Sequence, residues 1–213
     1  DLGLAESIPP INERIEKVRE YRLQRKNTAS KNPADFPHRF LKMKLAKKQV
    51  LFLPTVSSER RRYIPVGFLD EDTVIIDPNF AIYDPEIYIM SIVSSRMHMT
   101  WVRTIAGRLK TDYRYSSTLV YNTFPFPNIS DKQKEELNQH VFNILGEREK
   151  HPEKTLAQLY DPDKMPDGLR EAHHQNDLAI ERCYRSKPFE NDEERLEYLF
   201  KLYEKMISEE EAK

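Results

Sequence analysis

Three charged side chains alternate with uncharged residues in one short segment of the chain. Lys110, Asp112 and Arg114 are each separated from the next by a single residue. Because alternate side chains of a β-strand share a face, a strand here would present a cation, an anion and a cation in a row. Lysine and arginine donate to the O6 and N7 acceptors of guanine, and a carboxylate accepts from the N4 amino group of cytosine. The row is therefore suited to reading a G·C pair, although an exposed strand carrying ordinary solvated charge would show the same pattern.

A second polar segment combines hydroxyl groups with three consecutive arginines. It reads Ser-Ser-Glu-Arg-Arg-Arg-Tyr from Ser57 to Tyr63. Guanidinium forks and hydroxyls suit phosphate oxygens, and phosphate contacts position a protein on DNA without reading its sequence. A basic surface loop is the alternative interpretation. We predict contacts to the DNA backbone from six residues: Ser57, Ser58, Arg60, Arg61, Arg62 and Arg108.

The sequence offers little that could support catalysis within this chain. No two of its five glycines are close enough to form the turn that lets a backbone approach a nucleotide or S-adenosylmethionine. His173, His174 and Asp177 stand at helical spacing and could hold a metal ion, but adjacent histidines project about 100° apart on a helix. Cys183 falls on an apolar helix face and is expected in the core. We therefore predict no catalytic residue and no metal site in this chain.

Charge is distributed unevenly along the 213 residues. Residues 1–128 carry 20 Lys and Arg against 14 Asp and Glu, whereas residues 129–213 carry 14 against 21. The net charges of +6 and −7 favour a polyanionic partner for the first part only. We expect the acidic remainder to brace the first part, although local basic patches such as Arg182 and Arg185 leave a DNA contact open.

The cysteine content and the absence of an apolar leader favour the cytoplasm. Cys183 is the single cysteine, so no internal disulfide can form, as is usual in a reducing compartment. The most apolar stretch, residues 87–102, is interrupted by Arg96 and His98 and is shorter than a membrane span. The chain does not begin with methionine, and we expect it to be part of something longer.

The spacing of apolar residues predicts an α+β fold, in which a mostly antiparallel twisted sheet with a long packed helix precedes an all-α domain. Charge and period both change near Asn128, so we predict one domain over residues 1–128, including an N-terminal connecting helix, and a helical domain over residues 129–213. Capping boxes at Ser130 to Gln133 and at Thr155 to Gln158 mark two helix starts. The expected strands are 50–53, 63–69, 73–76, 80–83, 108–115 and 118–122, and the expected helices include 10–26, 85–106, 169–185 and one capped at 191–194.

Several segments, taken in order, resemble the C-terminal part of MmeI-like enzymes. They are Ser57 to Phe68 (Ser-Ser-Glu-Arg-Arg-Arg-Tyr-Ile-Pro-Val-Gly-Phe), Ser94 to Met99, Gly107 to Ser116, Val120 to Pro127 (Val-Tyr-Asn-Thr-Phe-Pro-Phe-Pro) and Asp163 to His173. MmeI-like enzymes are bacterial single-chain type IIL restriction–modification proteins. Such a chain carries a nuclease, a helical connector, an adenine-N6 methyltransferase, a target-recognition domain and a helical end.

The resemblance implies that residues 1–128 form the target-recognition domain and the remainder the helical end. It implies double-stranded DNA as the partner, together with methyltransferase and nuclease domains upstream in the same chain. S-adenosylmethionine, and Mg²⁺ for cleavage, would be cofactors of the whole enzyme and not of this part of it. The family varies its recognition residues largely on the strand after the long helix, and Lys110, Asp112 and Arg114 match that place.

The working hypothesis is sequence-specific binding of duplex DNA, in which Lys110 and Asp112 read one base pair and Arg114 contacts a neighbouring guanine or a phosphate. Two other classes of function stay open. The chain could be a protein-interaction module that docks through Tyr, Trp and Phe side chains. It could also be an RNA-binding sheet that uses Tyr113, Tyr115 and Tyr121 as stacking platforms.

Overall fold

The computed structural model describes residues 2–24, 32–40 and 44–211. They fall into two compact units, residues 1–45 and residues 46–213. Antiparallel sheets and packed helices come first along the chain and an all-helical region follows, which confirms the predicted α+β class. Within the described part of the chain, every helix is too short or too polar to cross a membrane.

The first unit is a helical segment held by one buried arginine. Helix α1 (Leu2–Glu6) precedes α2 (Pro9–Gln24), where a helix is predicted, although residues 25 and 26 of that prediction lie outside the described residues. The guanidinium of Arg22 donates to the carbonyl oxygens of Pro33 at 2.8 Å, Phe36 at 2.9 Å and Arg39 at 2.7 Å. These charge-assisted bonds tie α2 to the short 3₁₀ turn and loop that follow it.

Two three-stranded antiparallel sheets belong to the second unit. Strand β1 is central in the first sheet, between β3 and β4, and β6 is central in the second, between β2 and β5. The strands are β1 (Gln49–Pro54), β2 (Val56–Ser57), β3 (Gly67–Asp70), β4 (Asn79–Tyr83), β5 (Gly107–Leu109) and β6 (Asp112–Arg114).

Six α-helices belong to the described part of the second unit, and two of them begin at capping boxes. The predicted capping boxes are confirmed. The side chains of Ser130 and Thr155 accept from the backbone N–H groups of Gln133 and Gln158. The side chains of these glutamines accept in turn from the backbone N–H groups of Ser130 and Thr155. The helices are α3 (Tyr88–Val93), α4 (Arg96–Ile105), α5 (Asp131–Glu149), α6 (Leu156–Leu159), α7 (Asp167–Tyr184) and α8 (Asp192–Glu211).

The single long helix predicted over residues 85–106 is wrong, because the chain breaks into α3 and α4. Ser95 adopts an extended backbone with ψ 161° and its hydroxyl accepts from the N–H of His98 at 3.2 Å, so it caps a new helix. The N–H of Arg96 donates to Oδ1 of Asp177 at 2.7 Å. A carboxylate that lies on another helix therefore satisfies the amide that the break exposes.

Three predicted strands are also wrong in whole or in part. Residues 118–122 form a π-helical turn (Ser117–Tyr121), because Ser116 caps it by accepting from the N–H of Leu119 at 3.2 Å. Residues 73–76 form no strand, since Thr73 folds back onto Asp70 through its hydroxyl at 2.5 Å. Of residues 63–69 only those from Gly67 onward pair as a strand, because the buried residues before it are irregular.

One hydrophobic cluster spans residues on both sides of Asn128. Trp101 of α4 is fully buried and its ring lies 5.3 Å from that of Phe200 and 5.5 Å from that of Tyr203, both on α8. The helical region and the sheet region thus share an interior. The predicted domain boundary at Asn128 stays a prediction about domains, whereas the packing unit covers residues 46–213.

Helix α7 contributes a stripe of buried polar side chains to this shared interior. His173, Asn176, Asp177 and Glu181 are all at least nine-tenths buried and recur at helical spacing. Asn176 donates to the backbone carbonyl of Ser91 at 3.0 Å and accepts from its hydroxyl at 2.5 Å. Buried polar groups of this kind are costly unless paired, so the stripe fixes α7 against α3 in one register.

His173 and Asp177 hold the segment that enters β3. The ring of His173 stacks on that of Tyr63 with centroids 4.2 Å apart, and its Nε2 lies 2.7 Å from the hydroxyl of Tyr160. The hydroxyl of Tyr63 donates to Oδ2 of Asp177 at 2.7 Å. One aromatic ring is therefore clamped by two consecutive turns of α7.

We expect acid to destabilise the fold through His173. Burial, assisted by the positive charge of Arg148, lowers the pKa of this imidazole from 6.5 to about 3. Between those values the unfolded chain binds the extra proton, so the contribution of His173 to the free energy of unfolding falls as the pH falls. Urea denaturation from pH 7.5 to 4.5 should show the wild-type free energy of unfolding decreasing more steeply than that of His173→Asn, by about 1.4 kcal/mol per pH unit below pH 6.

The matched control is the neighbouring histidine. His174 is exposed, so His174→Asn should keep the wild-type pH slope. A His173→Asn slope equal to that of the wild type would contradict the assignment of a buried neutral imidazole.

Candidate nucleic-acid interface

The predicted base-reading residues lie on a short β-hairpin. Strands β5 and β6 pair antiparallel, and Lys110 and Thr111 form the turn between them. β6 pairs on its other side with β2, which places Ser57 opposite Tyr113. The arginine segment therefore leaves the sheet directly beside the hairpin.

The single strand predicted over residues 108–115 is wrong at Lys110, which lies in the turn. Its φ of 57° falls in the left-handed region, so the backbone turns there. Strand β5 therefore ends before Lys110, and β6 begins after the turn. Asp112 and Arg114 do lie on one strand, β6, and share a face. The row of three charges is thus an anion and a cation on the strand, with the second cation at the tip of the hairpin.

The inward face of the hairpin is anchored by tyrosines. Tyr113 and Tyr115 are buried, and the N–H of Tyr115 donates to the carbonyl of Thr55 at 2.7 Å. The hydroxyl of Tyr115 lies 3.0 Å from Nε2 of His98 on α4. Burial lowers the pKa of His98 to about 3, so this imidazole is neutral and forms a fixed hydrogen-bonding partner. The backbone that carries Asp112 and Arg114 is therefore rigidly placed.

The outward side chains are open and unpaired. Lys110 and Arg114 are exposed and Asp112 is half-buried. None of these three side chains forms a hydrogen bond or an ion pair with a residue that the structure describes. Since they are neither locked to one another nor covered, their hydrogen-bonding capacity is available to a ligand.

Arg108 is partly used within the hairpin. Its guanidinium lies over the ring of Tyr113, 4.0 Å from the centroid, and donates to the carbonyl of Thr111 at 2.9 Å. It also lies 3.9 Å from a carboxylate oxygen of Glu59. The side chain keeps 44% of its surface exposed, so a phosphate contact remains sterically open.

The five residues predicted as backbone contacts in the arginine segment differ in availability. Ser57 is buried, so its hydroxyl is not exposed to solvent. Ser58 is half-buried and shapes the loop, since its carbonyl accepts from the N–H of Arg61 at 3.1 Å. Arg60 forms an ion pair with Asp163 at 2.5 Å. Arg61 and Arg62 have no side-chain hydrogen bond or ion pair within the described part of the chain.

An open cleft of about 570 Å³ lies beside Arg62. Four arginines and four carboxylates line it. Arg96 and Arg103 donate to Asp192 at 2.7 and 3.1 Å, and Arg170 lies 3.9 Å from Oδ1 of Asp167, so three of the arginines are already paired. With opposite charges matched, the cleft lacks the excess of cations that a phosphate site needs. No group of three His, Cys, Asp or Glu side chains in the described ranges could hold a metal ion.

Sequence reasoning missed the acidic partners of these arginines. Asp163 and Asp177 contact residues more than 80 positions away, and no local pattern signals such pairs. Glu59 could have been noticed, because it is the one acid inside the arginine segment. Asp163 begins one of the segments that resemble MmeI-like enzymes, which is the signal that could have found it.

Two family models account for almost all of the chain. That of the MmeI target recognition domain matches residues 1–128, and that of the MmeI C-terminal domain matches residues 129–209. DNA methyltransferase A of Bacillus subtilis (strain 168) is 46% identical over 200 residues, which are 94% of this chain and 23% of that protein.

A solved structure shows the same fold. The type IIL restriction–modification enzyme MmeI in complex with DNA superposes with a TM-score of 0.90 at 36% identity, over 98% of this chain and 28% of the MmeI chain. The present chain therefore spans about a quarter of the length of these relatives.

The turn conformation of Lys110 predicts a stability change with a definite sign. A residue with a Cβ pays about 1–2 kcal/mol in the left-handed region, whereas glycine does not. Glycine also raises the conformational entropy of the unfolded chain, which offsets part of that stabilisation. We expect Lys110→Gly to raise the free energy of unfolding by roughly 0.5–1 kcal/mol, measured by urea denaturation.

Thr111→Gly is the control in the same turn. Thr111 is not among the described residues with positive φ, so glycine there should lower the free energy of unfolding. If Lys110→Gly proves as destabilising as Thr111→Gly, the left-handed turn is not the native conformation.

Proposed function

This chain belongs to the MmeI family, and on that premise we propose that it recognises a specific sequence in duplex DNA for a longer restriction–modification protein. That protein would be a single-chain adenine-N6 methyltransferase with nuclease activity. The solved relative binds DNA and the curated relative is a DNA methyltransferase, which supports both parts of the proposal.

The observation that carries the proposal is the state of the hairpin side chains. Asp112 and Arg114 project from a strand whose opposite face is buried, and neither is paired with a described residue. Unpaired charged groups on a rigid element can exchange water for base edges without first breaking internal bonds. Lys110 would donate to a guanine, Asp112 would accept from the paired cytosine, and Arg114 would contact a neighbouring guanine or a phosphate.

The arginine segment would supply affinity that does not depend on sequence. Arg61 and Arg62 are unpaired in the described structure and lie next to the strand that pairs with the hairpin. Guanidinium groups bind phosphate oxygens through two parallel hydrogen bonds. Contacts of this kind would fix the register in which the hairpin meets the major groove.

The chemistry of methyl transfer and cleavage would belong to the other three-quarters of the longer protein. The five glycines of this chain are scattered, and the described His, Cys, Asp and Glu side chains form no group of three that could hold a metal ion. We propose that S-adenosylmethionine and Mg²⁺ bind outside it. The target adenine must leave the duplex to be methylated, and this chain would hold the flanking DNA meanwhile.

The two rival functions fit the structure less well. An RNA-binding sheet needs exposed aromatic platforms, but Tyr113 and Tyr115 are buried and the ring of Tyr121 packs 5.2 Å from that of Phe126. A protein-interaction module would dock through aromatic residues; Trp101 and Phe124 are fully buried, whereas Phe40 and Phe142 are exposed.

Exchanging the charges of the first two hairpin residues should reverse one base pair of the target. In a Lys110→Glu, Asp112→Arg double variant the acceptor and the donor trade places, so a G·C pair should become C·G while the other positions stay unchanged. Selection of bound duplexes from a randomised library, followed by sequencing, measures the preference. A discrimination of about 1–3 kcal/mol corresponds to roughly 5- to 150-fold enrichment.

Arg114→Lys serves as the control for that experiment, because it keeps the charge and leaves the two exchanged positions alone. Failure to bind any sequence in the double variant, with no new preference, would assign Lys110 and Asp112 to the DNA backbone instead.

Neutralising the unpaired arginines should weaken binding equally at all sequences. Removing one phosphate contact makes the dependence of log K on log [salt] shallower by about 0.9 for duplex DNA. We expect Arg61→Gln and Arg62→Gln each to reduce the slope by about that amount without altering base preference. A changed preference at a single base position would show instead that the arginine reads that base.

A further inference from the structure

We propose that Asp163 competes with the DNA backbone for Arg60 and so limits sequence-independent binding. The inference rests on the proposed function, because it concerns the same DNA surface. The inference assigns the acidic helical region, to which Asp163 belongs, an effect on DNA binding at the candidate interface.

The contact joins two distant parts of the chain. Oδ2 of Asp163 lies 2.5 Å from a terminal guanidinium nitrogen of Arg60, 103 residues away in sequence. Both side chains stay largely exposed, at 62% for Arg60 and 68% for Asp163. An ion pair this exposed stabilises a fold little, so stability alone does not explain it.

The carboxylate is held in place by its own turn. The N–H of Asp163 donates to Oδ1 of Asp161 at 3.0 Å, and the N–H of Met165 donates to the carbonyl of Asp161 at 2.8 Å. Tyr160 and Met165, on either side of the turn, are buried. Asp163 is therefore presented by a fixed loop rather than by a mobile one.

The arginine is presented in the same fixed way. Its N–H lies 3.4 Å from the hydroxyl oxygen of Ser58, and Tyr63, three residues on, is clamped by α7 through His173 and Asp177. Two preorganised loops thus bring Arg60 and Asp163 together, and the pair forms without ordering a flexible segment.

A DNA phosphate and the carboxylate of Asp163 would compete for hydrogen bonds from the guanidinium of Arg60. Both are anions that accept from the arginine fork, so DNA must either displace Asp163 or approach against its charge. Arg61 and Arg62, next in sequence, form no ion pair with a described residue, although carboxylates line the cleft beside Arg62. Sequence-independent affinity rises with the number of phosphates neutralised. Occupying one arginine of three would therefore lower this affinity.

The test compares Asp163→Asn with the wild-type 213-residue chain on a duplex of unrelated sequence, titrated over a series of salt concentrations. Freeing Arg60 should tighten binding by about threefold to tenfold at low salt and make the slope of log K against log [salt] steeper by about 0.9, as for one added phosphate contact. The enrichment of the preferred sequence over unrelated DNA should stay unchanged, because a phosphate contact adds equally to binding at every sequence.

A double-variant cycle separates the pair from a general change of charge. In an Arg60→Gln background, Asp163→Asn should have no such effect, because the released guanidinium is absent. Glu197→Gln removes an exposed carboxylate that pairs with Lys201 within α8, so it should leave the slope unchanged.

Each outcome decides one question. If wild-type chain binds duplex DNA but Asp163→Asn binds it no more tightly, Asp163 does not compete for Arg60. If both Asp163→Asn and Arg60→Gln weaken binding equally, the pair holds the two loops together, which also overturns the inference. If the wild-type chain shows no salt-dependent binding to duplex DNA, the proposed function itself fails.

Discussion

The buried carboxylate of Asp177 joins the two elements that carry the interface to the helical region. It accepts from the hydroxyl of Tyr63, which follows the arginine segment, and from the first free N–H of α4. An unpaired carboxylate in this interior would cost several kcal/mol of folding free energy. The carboxylate therefore depends on both of its donors, and each donor depends on the carboxylate as its acceptor. Burial raises the pKa of Asp177 to about 7, and the hydrogen bonds from Tyr63 and Arg96 act in the opposite direction by stabilising the ionised carboxylate. The position of the arginine loop and the start of α4 are thereby set by α7.

The alternation of side chains on the hairpin separates the residues that stabilise the fold from the residues proposed to read DNA. Tyr113 and Tyr115 face the interior, where packing and the contact with His98 fix the backbone. Asp112 and Arg114 face outward, and their side chains contribute no described hydrogen bond or ion pair to the fold. Asp112 and Arg114 can therefore be replaced with little effect on the fold, since surface substitutions away from special contacts usually alter stability little.

Much of the fold could be predicted from local patterns, and the errors have a common physical origin. The starts of α5 and α6 follow from Ser130 and Thr155, because a capping box is complete within four residues. The break between α3 and α4 could not be predicted, since it depends on Asp177, which lies 81 residues beyond Arg96. The hairpin resembles one continuous strand in sequence because its turn contains no glycine, and Lys110 adopts a conformation that glycine usually takes. The spacing alone reveals the charged row, whereas the lack of a described partner for its side chains is a property of packing.

The shared interior of residues 46–213 has a consequence for how such proteins can diverge. The junction at 128/129, where the two matched family segments meet, falls between groups that contact one another, such as Trp101 with Phe200 and Tyr63 with Asp177. A chain recombined at that junction would take the two residues of each such contact from different parent proteins. Divergence by single replacements on the exposed face of β6 would therefore disturb the fold less than exchange of whole segments.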